Sequence, residues 1–238
     1  MATYKKRGYK PKTKKENVEV VEENSTTAEV FNTLDEGASK TEEWVVKNQK
    51  YIIGIVGLIA LVVLGSLAYN KFVAGPKEKD AMNEMYTAKK YFNDAASGIS
   101  SDSLYKMALE GGEGKYGMID IAREYAGTPA GNQANYYAGI SYLNLKDYEN
   151  AIAYLDEFSS DDKMLGPIAK GGIGDAFVQL EQLDKGLEYY EKAFKANVND
   201  FTTPMYLMKA ARAAIDLGEN SKALDYLTRI KSEFSAST

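Results

Sequence analysis

The chain has 238 residues, with 29 Lys and Arg against 34 Asp and Glu, and it contains neither cysteine nor histidine. These absences exclude a disulfide framework, a thiolate nucleophile and cysteine- or histidine-ligated metal sites, and they remove the commonest general base near neutral pH. The residues after the apolar run at 51–69 include 19 basic and 25 acidic side chains, so this part is too acidic for general binding of duplex nucleic acid.

The N-terminal segment is polar and its charge changes sign. Its first 15 residues carry seven basic and no acidic groups: Lys5, Lys6, Arg7, Lys10, Lys12, Lys14 and Lys15. From Glu16 to Glu43 nine acids face one lysine, and the few apolar residues cannot offset the entropy cost of ordering the backbone. We therefore predict a disordered tail over residues 1–41. The basic block either binds polyanions, that is anionic lipid headgroups or ribosomal RNA, or only fixes the orientation of the chain in a membrane.

An uncharged run, YIIGIVGLIALVVLGSLAY, occupies residues 51–69. As a helix it is about 28 Å long, which matches a hydrocarbon core of about 30 Å. Trp44, Tyr51 and Tyr69 flank it, as is typical of residues at a membrane interface. We predict a transmembrane anchor over residues 42–74. The alternatives are a buried core helix and a cleaved signal peptide; Ser66 and Ala68 satisfy the cleavage rule, but the leading region is too long for a signal peptide.

The orientation follows from the tail. Lysines close to the span are balanced on its two sides, but a short basic tail is hard to translocate, whereas a long domain can cross whatever its charge. We expect the N-terminus in the cytoplasm and the C-terminal domain in the periplasm of a bacterial inner membrane.

Residues 75–129 are predicted to form the first helices of the soluble domain. Gly75-Pro76 starts a helix whose apolar stripe is Ala81, Met82, Met85, Ala88 and Phe92. A short helix near residues 104–109 and another over residues 116–125 follow, separated by glycines.

Residues 130–238 contain an internal repeat. Gly139, Tyr142, Ala151, Leu155 and Phe158 recur 35 residues later as Gly174, Phe177, Gly186, Tyr190 and Ala193, and 37 residues after that as Ala211, Ala214, Ala223, Leu227 and Ile230. Small residues at the first and third positions let two antiparallel helices approach closely. This register predicts three helix pairs, with turns at Lys146-Asp147 and Gly218-Glu219.

The segment GISYLNLKDYENAIAYLDEF, residues 139–158, resembles the tetratricopeptide repeat in its period and its small-aromatic-small spacing. The fold class expected is all-α: a single transmembrane helix followed by a tetratricopeptide-like α-solenoid.

The order of the segments and three local sequences carry a closer resemblance over residues 42–236. These are EEWVVKNQKYIIGIVGLIALVVLGSLAYNKF, AMNEMYTAKKYF and DIAREYAGTPAGNQANYYAG. Together they are similar to the YfgM-type ancillary subunit of the bacterial Sec translocon. That resemblance implies association with the SecYEG channel and with a periplasmic isomerase-like chaperone, and a role in handing over exported polypeptides.

No catalytic or cofactor motif emerges. GGEGK at residues 111–115 lacks the first glycine and the final hydroxyl residue of a phosphate-binding loop. The acidic pairs Asp156-Glu157 and Asp161-Asp162 are interpreted as solvated surface charge. We therefore predict a protein that is not an enzyme and that holds no cofactor or metal.

A second apolar stripe runs along the first helix of each pair. In a repeat array this side lines a concave groove where peptides dock, unless a helix such as residues 77–94 covers it. Arg212 beside it is expected to orient an acidic group. The predicted groove residues are Tyr136, Ile140, Leu143, Ile168, Val178, Met205, Met208, Arg212 and Ile215.

Two functions from different classes fit these features. One is an interaction subunit of protein export, and the other is a structural tether of another cell-envelope assembly complex. The resemblance to the Sec subunit favours the first.

Overall fold

The computed structural model describes residues 26–98 and 101–236, and the contact pattern divides the chain into two compact units, residues 1–64 and 65–238. The described residues contain helices and no strand beyond one isolated bridge between Gly112 and Lys115. The helices are α1 Thr26–Tyr69, α2 Gly75–Ala96, α3 Ser101–Glu110, α4 Met118–Glu124, α5 Pro129–Asn144, α6 Tyr148–Glu157, α7 Leu165–Gln179, α8 Leu183–Ala196, α9 Thr202–Asp216 and α10 Asn220–Glu233, with a π-helical segment Asn70–Ala74 between α1 and α2. The predicted all-α fold class is confirmed.

The apolar run lies within α1, and all of its side chains except that of Ile52 are exposed. By its length and composition the helix is long and apolar enough to cross a membrane, and none of its most hydrophobic window is buried by protein. It is the single candidate span among the residues that the structure describes.

Helix α1 begins earlier than the sequence predicts, because residues 26–41 are helical although we expected disorder to residue 41. The physical reason is propagation: extending an existing helix needs no new nucleus, and this segment contains the helix formers Ala28, Glu29 and Leu34. The basic block at residues 5–15 lies outside the described residues.

Helix α2 packs against α3, α4 and α5 in the second unit. It carries Pro76 in its first turn, as the sequence predicts, and it buries Ala81, Met85 and Ala88. Met82, which the predicted stripe included, is 56% exposed. Its position does not fall on the face that meets the other helices.

Helices α5 to α10 form three pairs in chain order, α5 with α6, α7 with α8 and α9 with α10. Small residues allow each pair to close: a Cβ placed on Gly139 would lie 2.5 Å from Cγ of Leu155, and one on Gly174 would lie 2.7 Å from Cδ1 of Tyr190. These two contacts occupy the same repeat register, which is why the small residue recurs there.

The turn inside each pair has a common backbone conformation. Lys146, Glu181 and Gly218 have φ of 63°, 60° and 77°, all in the left-handed region. They stand 35 and 37 residues apart, in the repeat register. The predicted turns at residues 146 and 218 are present, and the pair α7/α8 turns at Glu181.

The acidic pair Asp161-Asp162 precedes α7. Oδ1 of Asp162 accepts hydrogen bonds from the backbone N–H groups of Met164 and Leu165, both at 2.8 Å. These bonds lower the pKa of the Asp162 carboxyl and satisfy free donors at the start of α7. This carboxylate therefore caps the start of α7 and is not only a solvated surface charge.

Candidate protein-docking surface

The nine predicted groove residues do not share one environment. Five of them are half-buried: Tyr136, Ile140, Leu143, Ile168 and Val178. The other four, Met205, Met208, Arg212 and Ile215, lie on α9 and are exposed.

On α5 the predicted stripe takes part in the packing between repeats. Tyr136, Ile140 and Leu143 contact a buried cluster that includes Leu155 of α6 and Ile173 of α7. Helix α7 comes this close because it carries glycine at the contact, where a Cβ on Gly172 would lie 2.9 Å from Cδ1 of Leu143. These three side chains therefore contribute mainly to stability.

Helix α2, the expected cover of the groove, packs on a different face of α5. Its Ala81, Met85 and Ala88 meet the buried residues Ala130, Ala134 and Ala138. The stripe on α5 is thus half-buried by α6 and α7, and the neighbouring face by α2.

Tyr206 of α9 fills the space over Gly171 of α7. The Tyr206 ring is 3% exposed, and its Cε1 and Cζ occupy the position of any Cβ added at Gly171. It also stacks on Tyr190 of α8, with ring centroids 6.4 Å apart. The Tyr206 ring therefore fills the space between α7 and α9, on the side of the array that the first helix of each pair forms.

The exposed residues on α9 form one continuous face, which we call the α9 stripe: Met205, Met208, Arg212 and Ile215. Their spacings of three, four and three residues place them on one side of a helix. Met205, Met208 and Ile215 are 36%, 38% and 51% exposed. Arg212 has no ion-pair partner within the described part of the chain, so its guanidinium is available to an acidic ligand.

A polar network that the sequence did not predict lies beside the α9 stripe. Nζ of Lys209 donates to both carboxylate oxygens of Asp175 at 2.7 Å, and the Tyr190 hydroxyl donates to Oδ1 of Asp175 at 2.7 Å. The ammonium also lies 5.8 Å and 5.7 Å from the ring centroids of Tyr190 and Tyr206. The network joins α7, α8 and α9.

The surroundings of Tyr190 also raise its pKa. Burial first, and then the Asp175 carboxylate, raise the pKa of this phenol far above its usual range. The shift favours the neutral phenol, which is the form that donates the hydrogen bond to Asp175. One feature of the sequence indicates the network. Asp175 stands at the same repeat position as Ile140 and Arg212, so a charged residue replaces the apolar residue of the first pair there.

A cavity of about 280 Å³ opens among α7, α8 and α9, and the network residues Asp175, Tyr190 and Lys209 line part of it. It combines apolar walls with charges of both signs, which suits a side chain of a docked polypeptide better than a cofactor. Within the described ranges no group of three His, Cys, Asp or Glu side chains could hold a metal ion. The lining residues are Asp175, Val178, Leu183, Tyr190, Lys209, Arg212, Ala213 and Asp216.

Comparison with known proteins identifies the repeat type. The family model described as tetratricopeptide repeat matches residues 118–162 and 172–237. No curated protein matches the chain. Among the solved structures that match, two titled MamA AMB-1, from crystal forms C2221 and P212121, are 15% and 13% identical and have TM-scores of 0.39 and 0.37. The two alignments cover 63% and 64% of this chain, and 98% and 92% of the matched chains.

Proposed function

Residues 118–162 and 172–237 carry tetratricopeptide repeats, a type of protein-interaction scaffold, and we propose from this that the chain is a membrane-anchored subunit that docks other proteins on the α9 stripe. The repeats supply the scaffold, and α1 supplies the anchor.

The observation that carries this proposal is the exposure of three apolar side chains and one arginine, unpaired among the described residues, on a single face of α9. Two methionines and an isoleucine face solvent there, although Tyr136 and Leu143, which hold the repeat positions of Met208 and Ile215 on α5, are half-buried. Methionine is unbranched and polarizable, so Met205 and Met208 can repack against polypeptides of different shape. Arg212 adds a site for a carboxylate at the centre of the stripe.

The finer proposal concerns the partners. The similarity of residues 42–236 to the YfgM-type subunit supports association with the SecYEG channel, with a periplasmic isomerase-like chaperone and with exported polypeptides. In that setting the tail is cytoplasmic, the repeats are periplasmic, and the basic block contacts anionic lipid or ribosomal RNA.

A structural tether of another envelope complex is the second candidate. It is favoured by the pairing of one candidate span with a repeat domain, which would serve any assembly held at a membrane. The two candidates differ in their partners: a Sec subunit co-purifies with channel components, whereas a tether co-purifies with envelope assembly proteins.

The test removes the apolar character of the α9 stripe without touching the core. We expect Met208→Asp combined with Ile215→Asp to abolish partner capture by a photo-crosslinking residue at position 205 in membranes, because both side chains are exposed and a docked apolar surface would meet two charges. The matched control is Val198→Asp, since Val198 is 62% exposed and lies outside the stripe. It should leave capture unchanged.

Far-UV circular dichroism and the melting temperature of the full chain decide whether the array stays folded. An unchanged melting temperature with unchanged capture would contradict docking at the α9 stripe. A large fall in melting temperature would show that the stripe is core. Ile140 is unsuitable for this test, because it is half-buried against the α6/α7 cluster and its change to Asp would destabilise the array.

A further inference from the structure

The cavity among α7, α8 and α9 is lined by two acidic and two basic side chains, Asp175, Asp216, Lys209 and Arg212. Two of them satisfy each other, because Nζ of Lys209 lies 2.7 Å from both carboxylate oxygens of Asp175. Arg212 forms no ion pair within the described part of the chain. Asp175 is thus paired with one of the two cations that line the same cavity.

Asp175 and Arg212 stand level with each other on neighbouring helices. They are 37 residues apart and hold the same position in the repeat register, on α7 and α9, and these two helices are in contact. Lys209 lies three residues before Arg212, so the two cations are neighbours on the surface of α9. A guanidinium also matches both oxygens of a carboxylate with two parallel N–H groups. A carboxylate of Asp175 without its lysine would therefore capture Arg212.

Two aromatic rings explain why the lysine holds this place. Nζ of Lys209 lies 5.8 Å and 5.7 Å from the ring centroids of Tyr190 and Tyr206, so both rings stabilise the ammonium beside the carboxylate. The Tyr190 hydroxyl donates to Oδ1 of Asp175 at 2.7 Å, and this bond orients the carboxylate. Arg212 consequently remains outside the cluster, on the α9 stripe.

The remaining acid of the cavity, Asp216, does not pair with Arg212 either. It follows Arg212 by four residues on α9, and an acid placed C-terminal to a base is the weaker of the two orders at this spacing. Between these two described side chains the structure contains no ion pair. The Arg212 guanidinium therefore keeps its N–H donors for a carboxylate of a docked polypeptide, beside the apolar Met208 and Ile215.

We propose that Lys209 is a positioning residue for partner docking, because by occupying Asp175 it keeps Arg212 free to pair with a carboxylate of the docked polypeptide. The partner surface then carries an acidic side chain flanked by apolar ones, which complements the order of Met208, Arg212 and Ile215. This inference rests on the docking function proposed for the α9 stripe. The competition of two cations for one carboxylate is nevertheless measurable without any partner.

The first experiment measures how free the Arg212 guanidinium is in the full chain. Phenylglyoxal modifies unpaired guanidinium groups, and peptide mass spectrometry reports the rate at each arginine. Lys209→Met should slow modification of Arg212 about two- to fivefold, because the ion pair that Arg212 then forms with Asp175 is partly exposed and modest in strength. Adding Asp175→Asn should restore the wild-type rate. Arg229, whose Nε lies 2.9 Å from Oε2 of Glu233, is the internal control and should react at one rate in all variants.

Two results of this experiment would overturn the role of Lys209. One is an unchanged or faster reaction at Arg212 in Lys209→Met, and the other is a slowed reaction that Asp175→Asn does not restore. If Lys209→Met clearly lowers the melting temperature, Lys209→Gln takes its place. Glutamine keeps a hydrogen bond to Asp175 without the charge, so it should slow the reaction at Arg212 to a smaller extent, and no slowing would contradict the competition.

The second experiment connects this competition to docking, with a photo-crosslinking residue at position 205 in membranes. Arg212→Gln should reduce partner capture about tenfold, because it removes a charge-assisted pair with the partner. Lys209→Met should reduce capture about two- to fivefold, in step with the phenylglyoxal rates. Adding Asp175→Asn should rescue capture in Lys209→Met and leave Arg212→Gln unrescued.

The outcomes separate the two proposals. A wild-type chain that captures no partner would contradict docking at the α9 stripe, while the phenylglyoxal rates still decide whether Lys209 and Arg212 compete for Asp175. Capture that is unaffected by Arg212→Gln, or that Asp175→Asn does not rescue in Lys209→Met, would overturn the positioning role and leave docking by the apolar side chains in place.

Discussion

Gly171 and Gly172 of α7 are neighbours in sequence but face different obstacles. A Cβ on Gly171 would overlap the ring of Tyr206, which is buried and cannot swing away, whereas a Cβ on Gly172 would meet terminal methyl groups of Leu143 and Leu155 at 2.9 and 3.0 Å. Both changes to alanine gain about 1 kcal/mol of helix propensity. We predict that Gly171→Ala still lowers stability by about 1–2 kcal/mol, because overpacking outweighs that gain.

Gly172→Ala is the matched control, since methyl groups yield more easily than a ring. Thermal unfolding followed by circular dichroism should show that Gly171→Ala has a clearly lower melting temperature than Gly172→Ala. Equal melting temperatures would mean that Tyr206 is not locked over Gly171.

The candidate site could be predicted from sequence only in part. Met205, Met208, Arg212 and Ile215 follow from helical spacing within one helix, and they are exposed together. Burial of Tyr206 could not be predicted, because it depends on a glycine 35 residues earlier. The bond between Asp175 and Lys209 joins residues 34 apart, and neither local pattern nor charge indicates it.

At the scale of elements, the turns within the first two helix pairs carry avoidable backbone strain. Lys146 and Glu181 adopt left-handed φ, which costs a residue with a Cβ about 1–2 kcal/mol, whereas the third pair uses Gly218 at this position. We predict that Glu181→Gly raises stability by about 1 kcal/mol and the melting temperature by about 2–4 °C. Chemical denaturation of the full chain measures the difference.

Two companion variants show whether backbone strain is the cause of the change in stability. Glu181→Ala retains the Cβ and should give no gain, and Gly218→Ala introduces the strain and should lower stability by about 1 kcal/mol. If alanine stabilises position 181 as much as glycine does, the cause is loss of the Glu181 charge and not relief of backbone strain.

The helix pairs were predictable because their register repeats, and a repeated pattern can be aligned with itself. Gly139, Gly174 and Ala211 mark the close approach, and the left-handed residues mark the turns. The start of α1 at Thr26 was not predictable, because the polar residues before the span give no periodic signal and their helix extends from the apolar run.

At the scale of the whole molecule, the absence of cysteine allows the topology to be tested with single thiols. We predict that a membrane-impermeant maleimide labels Asp184→Cys on α8 in intact spheroplasts, and labels Thr3→Cys in the basic block only after lysis. The reason is that α1 separates the two positions if it spans the membrane with the tail inside.

The reverse labelling pattern would overturn the orientation, and labelling of both thiols in intact spheroplasts would exclude a spanning helix. The mass of the mature chain provides the control for processing. A chain that begins near Tyr69 would identify the apolar run as a cleaved signal and not an anchor.

Packing between chain neighbours has a kinetic consequence. Each of the helices α5 to α10 makes most of its contacts with the helix before or after it, so contacts close over short stretches of sequence. Chains with such low contact order fold quickly, and stacked repeats can nucleate locally and propagate. A domain that crosses a membrane N-terminal end first can therefore fold pair by pair as it emerges, and each finished pair offers the next helix a template before synthesis ends.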